Sequence, residues 1–323
     1  MGERGSGEFG IQLLKKLLKI PHENELRFPE IDEVFRYKEE DFQREDSITI
    51  FSLARKKIGI CWGRWTTEDD VEATRLQNII REINVHLRYT PDTDEAVKYL
   101  IGFYGFGIGE LEINICMELM EGSLSKLMGE IHKKYDLFPL EILQYTAVVL
   151  VKALDYLKSN LKVIHRDIKP DNVLYKLDDP GCIKLADFGI SRTLVNSKAT
   201  TMVATMNYMP PERFVKEILD YGVESDIWGI GIVLLELVNN RHPLLDEGES
   251  SDNNIARKLS KLKAGFPVPK GNLDPEGHEF ISLCLKPFEQ RPNQYSTLKD
   301  MDYVKNFREE KFKLTRYVEQ DFS

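Results

Sequence analysis

Cysteine is scarce, with Cys61, Cys116, Cys182 and Cys284 the only four in 323 residues. None belongs to a CxxC pair and no histidine stands near them at zinc-ligand spacing, which argues against a disulfide framework and against structural zinc. Long hydrophobic runs are missing too. The longest, Ile227 to Val238, has 12 residues and contains Glu236, too short to cross a bilayer. Near the N-terminus, lysines interrupt the apolar patch Leu13-Leu14-Lys15-Lys16-Leu17-Leu18, unlike a signal peptide. A reducing, cytoplasmic or nuclear setting is expected. A basic excess is also absent: 44 Lys and Arg against 53 Asp and Glu leave −9, with a pI near 5.4. That balance argues against a nucleic-acid partner. There is no repeat or low-complexity tract. Glycine, although 21 are present, does not occur from Ile11 to Ile58.

What is present is ordinary for a globular chain, at 42% hydrophobic and 30% charged residues. The length suggests two compact units or one two-lobed domain. Charge is unevenly spread, with a net of +2 over residues 1–20 and −6 over residues 21–47. Pro21 and Pro29 punctuate the change, so residues 1–30 read as a tail. The β-branched and apolar residues from Ile48 to Ile58 read as a strand. Thr67 followed by Glu68, Asp69 and Asp70 is a helix start. Val71, Leu76, Ile79, Ile80, Ile83 and Leu87 continue it at helical spacing. Ile113 to Met120 reads as a buried strand, and Glu141–Leu157 and Asp226–Val238 read as helices. A small strand-rich part with one helix thus precedes a larger helical part.

The most informative string is His165-Arg166-Asp167-Ile168-Lys169-Pro170-Asp171-Asn172. Asp187-Phe188-Gly189 follows, with Asp187 15 residues after Asn172, and Pro210-Pro211-Glu212 comes further on. Alone, Asp167 and Asp187 would read as solvated loop acids. Together, the strings resemble the protein-kinase superfamily in order and spacing. The resemblance implies an α+β, bilobal kinase fold, with a small antiparallel-sheet N-lobe and a larger helical C-lobe. It implies ATP and Mg²⁺ as cofactors. Asp167 takes or orients the proton of the substrate hydroxyl, Lys169 stabilises charge on the transferred group, and Asn172 and Asp187 ligate the metal. A lysine at 169 is the serine/threonine-type residue.

Upstream, Ala54-Arg55-Lys56 resembles the third-strand motif that sets a lysine on the ATP phosphates. Strand parity favours Lys56, which shares a face with Ala54 and Ile58, while Lys57 points the other way. An exposed basic edge is the alternative. Glu82, flanked by the apolar stripe of its helix, fits the ion-pair partner. By the same resemblance Met117 is the gatekeeper, Glu118 to Met120 form the hinge, and Ala54 and Leu174 sandwich adenine. Glu212 and Arg291 resemble a buried ion pair, and Asp226 resembles the acid bracing the catalytic-loop backbone.

Some strings are closer still. Gly102-Phe103-Tyr104-Gly105, Ile115 to Met120 and Asp187-Phe188-Gly189-Ile190-Ser191 resemble the MAP kinase kinase family, its stress-activated branch above all. Leu194-Val195-Asn196-Ser197-Lys198-Ala199-Thr200-Thr201 matches that family's activation loop. This implies phosphorylation at Ser197 and Thr201, with Thr200 a weaker candidate and Arg166 a partner for phosphate. An unmodified polar loop is the alternative. Lys15, Lys16, Leu18 and Ile20 resemble the family's docking motif for a downstream MAP kinase. An amphipathic membrane-surface helix competes with that reading. Asp302 to Gln320 resembles the segment that meets an upstream MAP kinase kinase kinase. The expected division is a tail over 1–30, an N-lobe over 31–117, a C-lobe over 118–308 and a C-terminal tail over 309–323.

One part of the pattern is missing. The family places a Gly-rich hairpin before the Lys56 strand, yet only 13 residues separate Phe42 from Lys56, none of them glycine. Two strands and a loop need roughly 15–20 residues, so a truncated N-lobe is expected. Gly5-Ser6-Gly7-Glu8-Phe9-Gly10 has the form of a phosphate loop, but Gly10 lies 46 residues before Lys56. Asp171, Ala204 and Pro211 are milder departures. Two functions follow: a dual-specificity MAP kinase kinase, or a catalytically impaired pseudokinase, scaffold or splice form that docks a MAP kinase.

Overall fold

A computed structural model of the chain describes residues 25–28, 31–35, 53–59, 71–88, 98–108, 112–177, 180–188, 207–214, 222–245, 258–259, 262 and 264–318. The described residues form two compact units. Of the described residues, those up to 88 and those in 101–108 and 112–120 build the first, and those in 98–100, 121–188 and 207–318 the second. The break follows Met120 rather than residue 117, which keeps 118–120 with the strand that they continue.

Among the described residues the first unit is a five-stranded antiparallel sheet with one helix. Strand β3 (Leu53–Gly59) pairs with β5 (Glu112–Glu118), setting Ala54 opposite Met117 and Lys56 opposite Ile115. Strand β4 (Phe103–Ile108) pairs with the other edge of β5. Its register slips between Phe103 and Gly105, where φ of 152° is accessible to glycine and costly for any other residue. Helix α1 (Val71–Arg88) places Ile79 and Ile83, one turn apart, on a core of Phe103, Phe106, Ile113 and Ile115. Half-buried Ile58, Ile80, Leu87 and Met117 close that core, and His86 stacks on Phe103 at 4.7 Å.

The sheet order is β1-β2-β4-β5-β3. Residues 25–28, read from sequence as part of a tail, form β1 (Glu25–Phe28), antiparallel to β2 (Ile31–Phe35). The apolar Leu26, Phe28, Ile31, Val34 and Phe35 supply strand-forming residues on both sides of Pro29, which cannot donate to a ladder. This hairpin joins β4, through Val34 opposite Gly107 and Phe35 opposite Phe106. It therefore extends the edge opposite β3. Among the described residues no strand lies on the outer edge of the Lys56 strand, where the family places its Gly-rich hairpin.

The second unit is built on two helices whose apolar residues run almost all round. Helix α3 (Leu140–Ser159) begins at Pro139, and α4 (Val223–Asn239) ends at Asn240 in the left-handed region, φ 54°. Both are core helices. Helix α2 (Leu124–Lys134) buries Leu124, Leu127 and Ile131 along one stripe. Strand β6 (Gly122–Ser123), β7 (Val173–Lys176) and β8 (Cys182–Leu185) form a small antiparallel sheet. Helix α5 (Pro275–Cys284) carries proline at its first position, and the Asp274 side chain accepts from Gly277 N–H at 2.8 Å. Helices α6 (Tyr295–Lys299) and α7 (Asp302–Lys305) follow.

The C-terminal segment is packed over residues 309–318, although sequence reading left 309–323 as a tail. Phe312 and Leu314 are buried, and Phe312 and Phe307 lie 4.3 and 5.6 Å from the Tyr145 ring of α3. Spacing that is neither helical nor alternating hides such residues from a periodicity reading. Replacing Phe312 with Ala is expected to cost about 3–5 kcal/mol by urea denaturation; a peripheral tail would give no change.

Candidate active site

The second unit holds the loop from His165 to Asn172, and its arrangement starts from a buried acid. Asp226, in the first turn of α4, accepts from His165 N–H at 2.9 Å and from Arg166 N–H at 2.6 Å. Tyr295 O–H donates to the same carboxylate at 2.7 Å. These bonds hold the chain through Arg166, whose φ of 66° lies in the left-handed region that a β-carbon disfavours. Burial pushes the Asp226 carboxyl up from its ordinary value, opposed by His165, Tyr295 and the two N–H donors. Gly229, one turn further along α4, admits the loop closely: a Cβ there would meet Ile168 Cβ at 2.8 Å.

The polar side chains then converge. Asp167 Oδ2 lies 3.1 Å from Lys169 Nζ and 3.1 Å from Asn172 Nδ2. Asn172 Nδ2 also donates to the Asp167 carbonyl at 2.8 Å. Pro170 opens a 3₁₀ turn, Pro170–Asn172, and Asn172 N–H closes it on Lys169 O at 3.0 Å. The turn returns Asn172 to Asp167. His165 links this loop to the next: Asp167 N–H donates to His165 Nδ1 at 3.3 Å, and Nε2 faces Ala186 O at 3.2 Å. That pairing assigns the proton to Nε2. Ala186 N–H donates to Asn172 O at 2.8 Å, so Asp187 follows directly from a residue bonded to Asn172. Asp187 has φ 54°, and buried Phe188 packs edge-on to His165 at 6.3 Å.

Asn172 and Asp187 fit a hard divalent cation. Both nitrogen protons invoked at Asn172 Nδ2 point to Asp167, which leaves the amide oxygen as the ligating atom. Among the described residues no group of three or more His, Cys, Asp or Glu side chains forms a metal cage of its own. Two oxygen donors leave the rest of a divalent ion's coordination to oxygens from outside the protein, such as phosphate and water.

In the first unit Lys56 Nζ lies 2.8 Å from Glu82 Oε1, joining β3 to α1. The Glu82 side chain is 10% exposed and that of Lys56 33%. Ala54, Lys56 and Ile58 are half-buried whereas Lys57 is exposed, the alternation that the strand period demands. Met117 and Met120 are half-buried, Glu118 N–H donates to Gly102 O at 2.8 Å, and Glu118 Oε2 accepts from Gly102 N–H at 3.1 Å. The Glu118 side chain thus binds the backbone just before β4. Leu174, half-buried in β7, pairs with Ser123 and Lys184.

The Glu212–Arg291 pair is fully enclosed. Glu212 sits in the 3₁₀ turn Pro211–Phe214, where Pro211 takes the first position. Arg291 Nη1 lies 2.7 Å from Glu212 Oε1 and donates to Glu224 O at 2.9 Å, while Nε and Nη2 reach Lys286 O. Its guanidinium stands 4.9 Å from the Trp228 ring centre. Lys15, Lys16, Leu18, Ile20, Ser197, Thr200 and Thr201 lie outside the described residues, as do Gly5, Gly7 and Gly10.

Sequence reading missed several participants. Tyr295 and the linking role of His165 are two. A third is a cleft of about 340 Å³, open mouth included, lined by Arg166, Asp167, Tyr208, Met209, Arg213 and Gly229 among others. Tyr208 O–H donates to Glu236 Oε2 at 2.7 Å, and the Tyr208 ring lies edge-on to His242 at 5.1 Å. Only the positions of Tyr208 before Glu212 and of Glu236 inside an apolar helix hinted at a pair.

Burial, opposed by Tyr208 and aided by Asp171, pushes the Glu236 carboxyl up to about 7. Between the ordinary value of 4.5 and 7 the folded chain binds the extra proton, so this group's stabilisation is present below pH 4.5 and lost as pH rises through 7. Stability is expected to fall over that window by on the order of 1–3 kcal/mol. Glu236→Gln should flatten the profile, measured by urea denaturation at stepped pH.

Residues 61–304 match the family described as the protein kinase domain. The match opens five residues past Lys56, contains Glu82 and the whole loop from His165 to Asn172, and ends short of Glu309. It covers more than half of the chain, and with the bilobal α+β fold it makes this chain a member of the protein kinase family.

Proposed function

We propose that the chain is a dual-specificity MAP kinase kinase of the stress-activated type. It moves the γ-phosphoryl group of ATP to Ser, Thr or Tyr hydroxyls in the activation loop of a downstream MAP kinase. Membership of the protein kinase family carries ATP-dependent phosphoryl transfer to protein substrates. The observation that carries the catalytic assignment is the convergence of Lys169 and Asn172 on Asp167 Oδ2. The finer assignment rests on the activation-loop string from Leu194 to Thr201 and on the basic-apolar Lys15-Lys16-Leu17-Leu18-Lys19-Ile20.

In this reading Asp167 receives the proton of the substrate hydroxyl as its oxygen bonds to the γ-phosphorus and the β–γ bridge breaks. Lys169 offsets charge on the transferred group. Asn172 and Asp187 hold Mg²⁺, which supplies neutralisation of the phosphate oxygens. Lys56, oriented by Glu82, meets the α- and β-phosphates. Ala54, Met117, the 118–120 backbone and Leu174 are assigned to adenine. Arg166 answers phosphate on Ser197 or Thr201. Lys15, Lys16, Leu18 and Ile20 dock the MAP kinase, and the segment from Asp302 meets the upstream kinase. A cytoplasmic or nuclear setting accords with free thiols at Cys116, Cys182 and Cys284. No described helix is long and apolar enough to cross a membrane.

The test uses the full chain carrying Ser197→Glu and Thr201→Glu, with Mg-ATP and a panel of MAP kinases. Phosphate should appear on activation-loop Thr and Tyr, and Asp167→Asn should reduce the rate by about 10²–10⁴. Leu18→Ala with Ile20→Ala should weaken MAP kinase binding while sparing a generic peptide substrate. No transfer and no ATP-induced thermal shift, with docking retained, would replace the enzyme by a scaffold.

A further inference from the structure

Residues beyond the kinase-family match return to the strand that delivers Asp187. Glu309 opens the 3₁₀ turn Glu309–Lys311, and its carboxylate accepts the Tyr99 O–H at 3.0 Å on each oxygen. Lys152 of α3 pairs with the same carboxylate, donates to the Tyr99 hydroxyl oxygen at 3.1 Å and stands 5.2 Å from the Tyr99 ring centre. Charge assistance at both the ammonium and the carboxylate strengthens this cluster. The Tyr99 backbone carbonyl accepts Leu185 N–H at 2.7 Å, and Leu100 forms a parallel bridge with Leu185. Leu185 ends β8, two residues before Asp187.

The same segment grips β8 elsewhere. Leu314 N–H donates to Pro180 O at 3.0 Å, just before the strand begins. Tyr145 of α3, a helix packed on β8, is flanked by Phe307 and Phe312. Strand β8 has β7 on one side, so these contacts secure its start and its outer edge.

We infer that residues 307–317 form a brace on β8, with Glu309 as a positioning residue for Asp187. The brace rests on the reading of Asp187 as a metal ligand; its mechanical part does not. Outer partners that orient a metal ligand govern affinity by about 10–100-fold. A half-exposed carboxylate that only added surface charge would leave both β8 and metal binding as they are.

The experiment compares the full chain with Glu309→Ala, Tyr99→Phe and the double variant. Amide exchange should rise about tenfold at Leu185 while the centre of α4, at Ile232 and Leu234, stays protected. The double variant should do no more than either single one, since both cut one chain of contacts. Calorimetric Mn²⁺ affinity in the presence of ADP should fall about tenfold. Unchanged Leu185 exchange overturns the brace, and faster exchange with unaltered Mn²⁺ affinity overturns the positioning of Asp187. Because exchange needs no phosphoryl transfer, an inactive chain with the expected exchange pattern refutes the kinase activity and sustains the brace.

Discussion

A single buried carboxylate holds the chemistry of the second unit together. Asp226 binds two successive backbone N–H groups, and without them Arg166 has no reason to stay at positive φ. Turning the chain there is what aims Asp167, and from Asp167 the loop closes on itself through Lys169 and Asn172. The acid is itself held by Tyr295 and by the rigidity of a core helix. A charge deep in the protein is costly unless every lone pair is answered. Here the donors answer it, and the cost of burial is converted into a fixed backbone path.

The Glu212–Arg291 pair follows the same logic. Arg291 uses its guanidinium on one carboxylate and two backbone carbonyls, and lies on Trp228. Such a group does more than join two charges, because it fixes three separate chain segments at one point. In the first unit a lighter device suffices. Lys56 and Glu82 are joined across β3 and α1 over a core of Ile79, Ile83, Phe103, Phe106, Ile113 and Ile115.

Much of this was legible in the residues. Strand parity picked Lys56 over Lys57, and helical spacing picked Glu82, because both depend on local periods of 2 and 3.6. The convergence of the loop from His165 to Asn172 was legible because its residues sit within eight consecutive positions. Tyr295 was not, for it lies 69 residues from the acid that it serves, and an aromatic near a proline announces no partner. Glu118 was read for its backbone alone, yet its carboxylate is bound to Gly102. Pairing of β2 with β4 was equally hidden, since nothing local in Ile31–Phe35 names the strand it joins.

The hairpin of β1 and β2 bears on how completeness is judged in this fold. Among the described residues the sheet has five strands, and its lysine strand is terminal in the order β1-β2-β4-β5-β3. Two sheets with equal tallies can therefore differ in the one place where backbone amides would approach a nucleotide. For chains like this one, adjacency to the lysine strand is the informative measure, and a strand census is not.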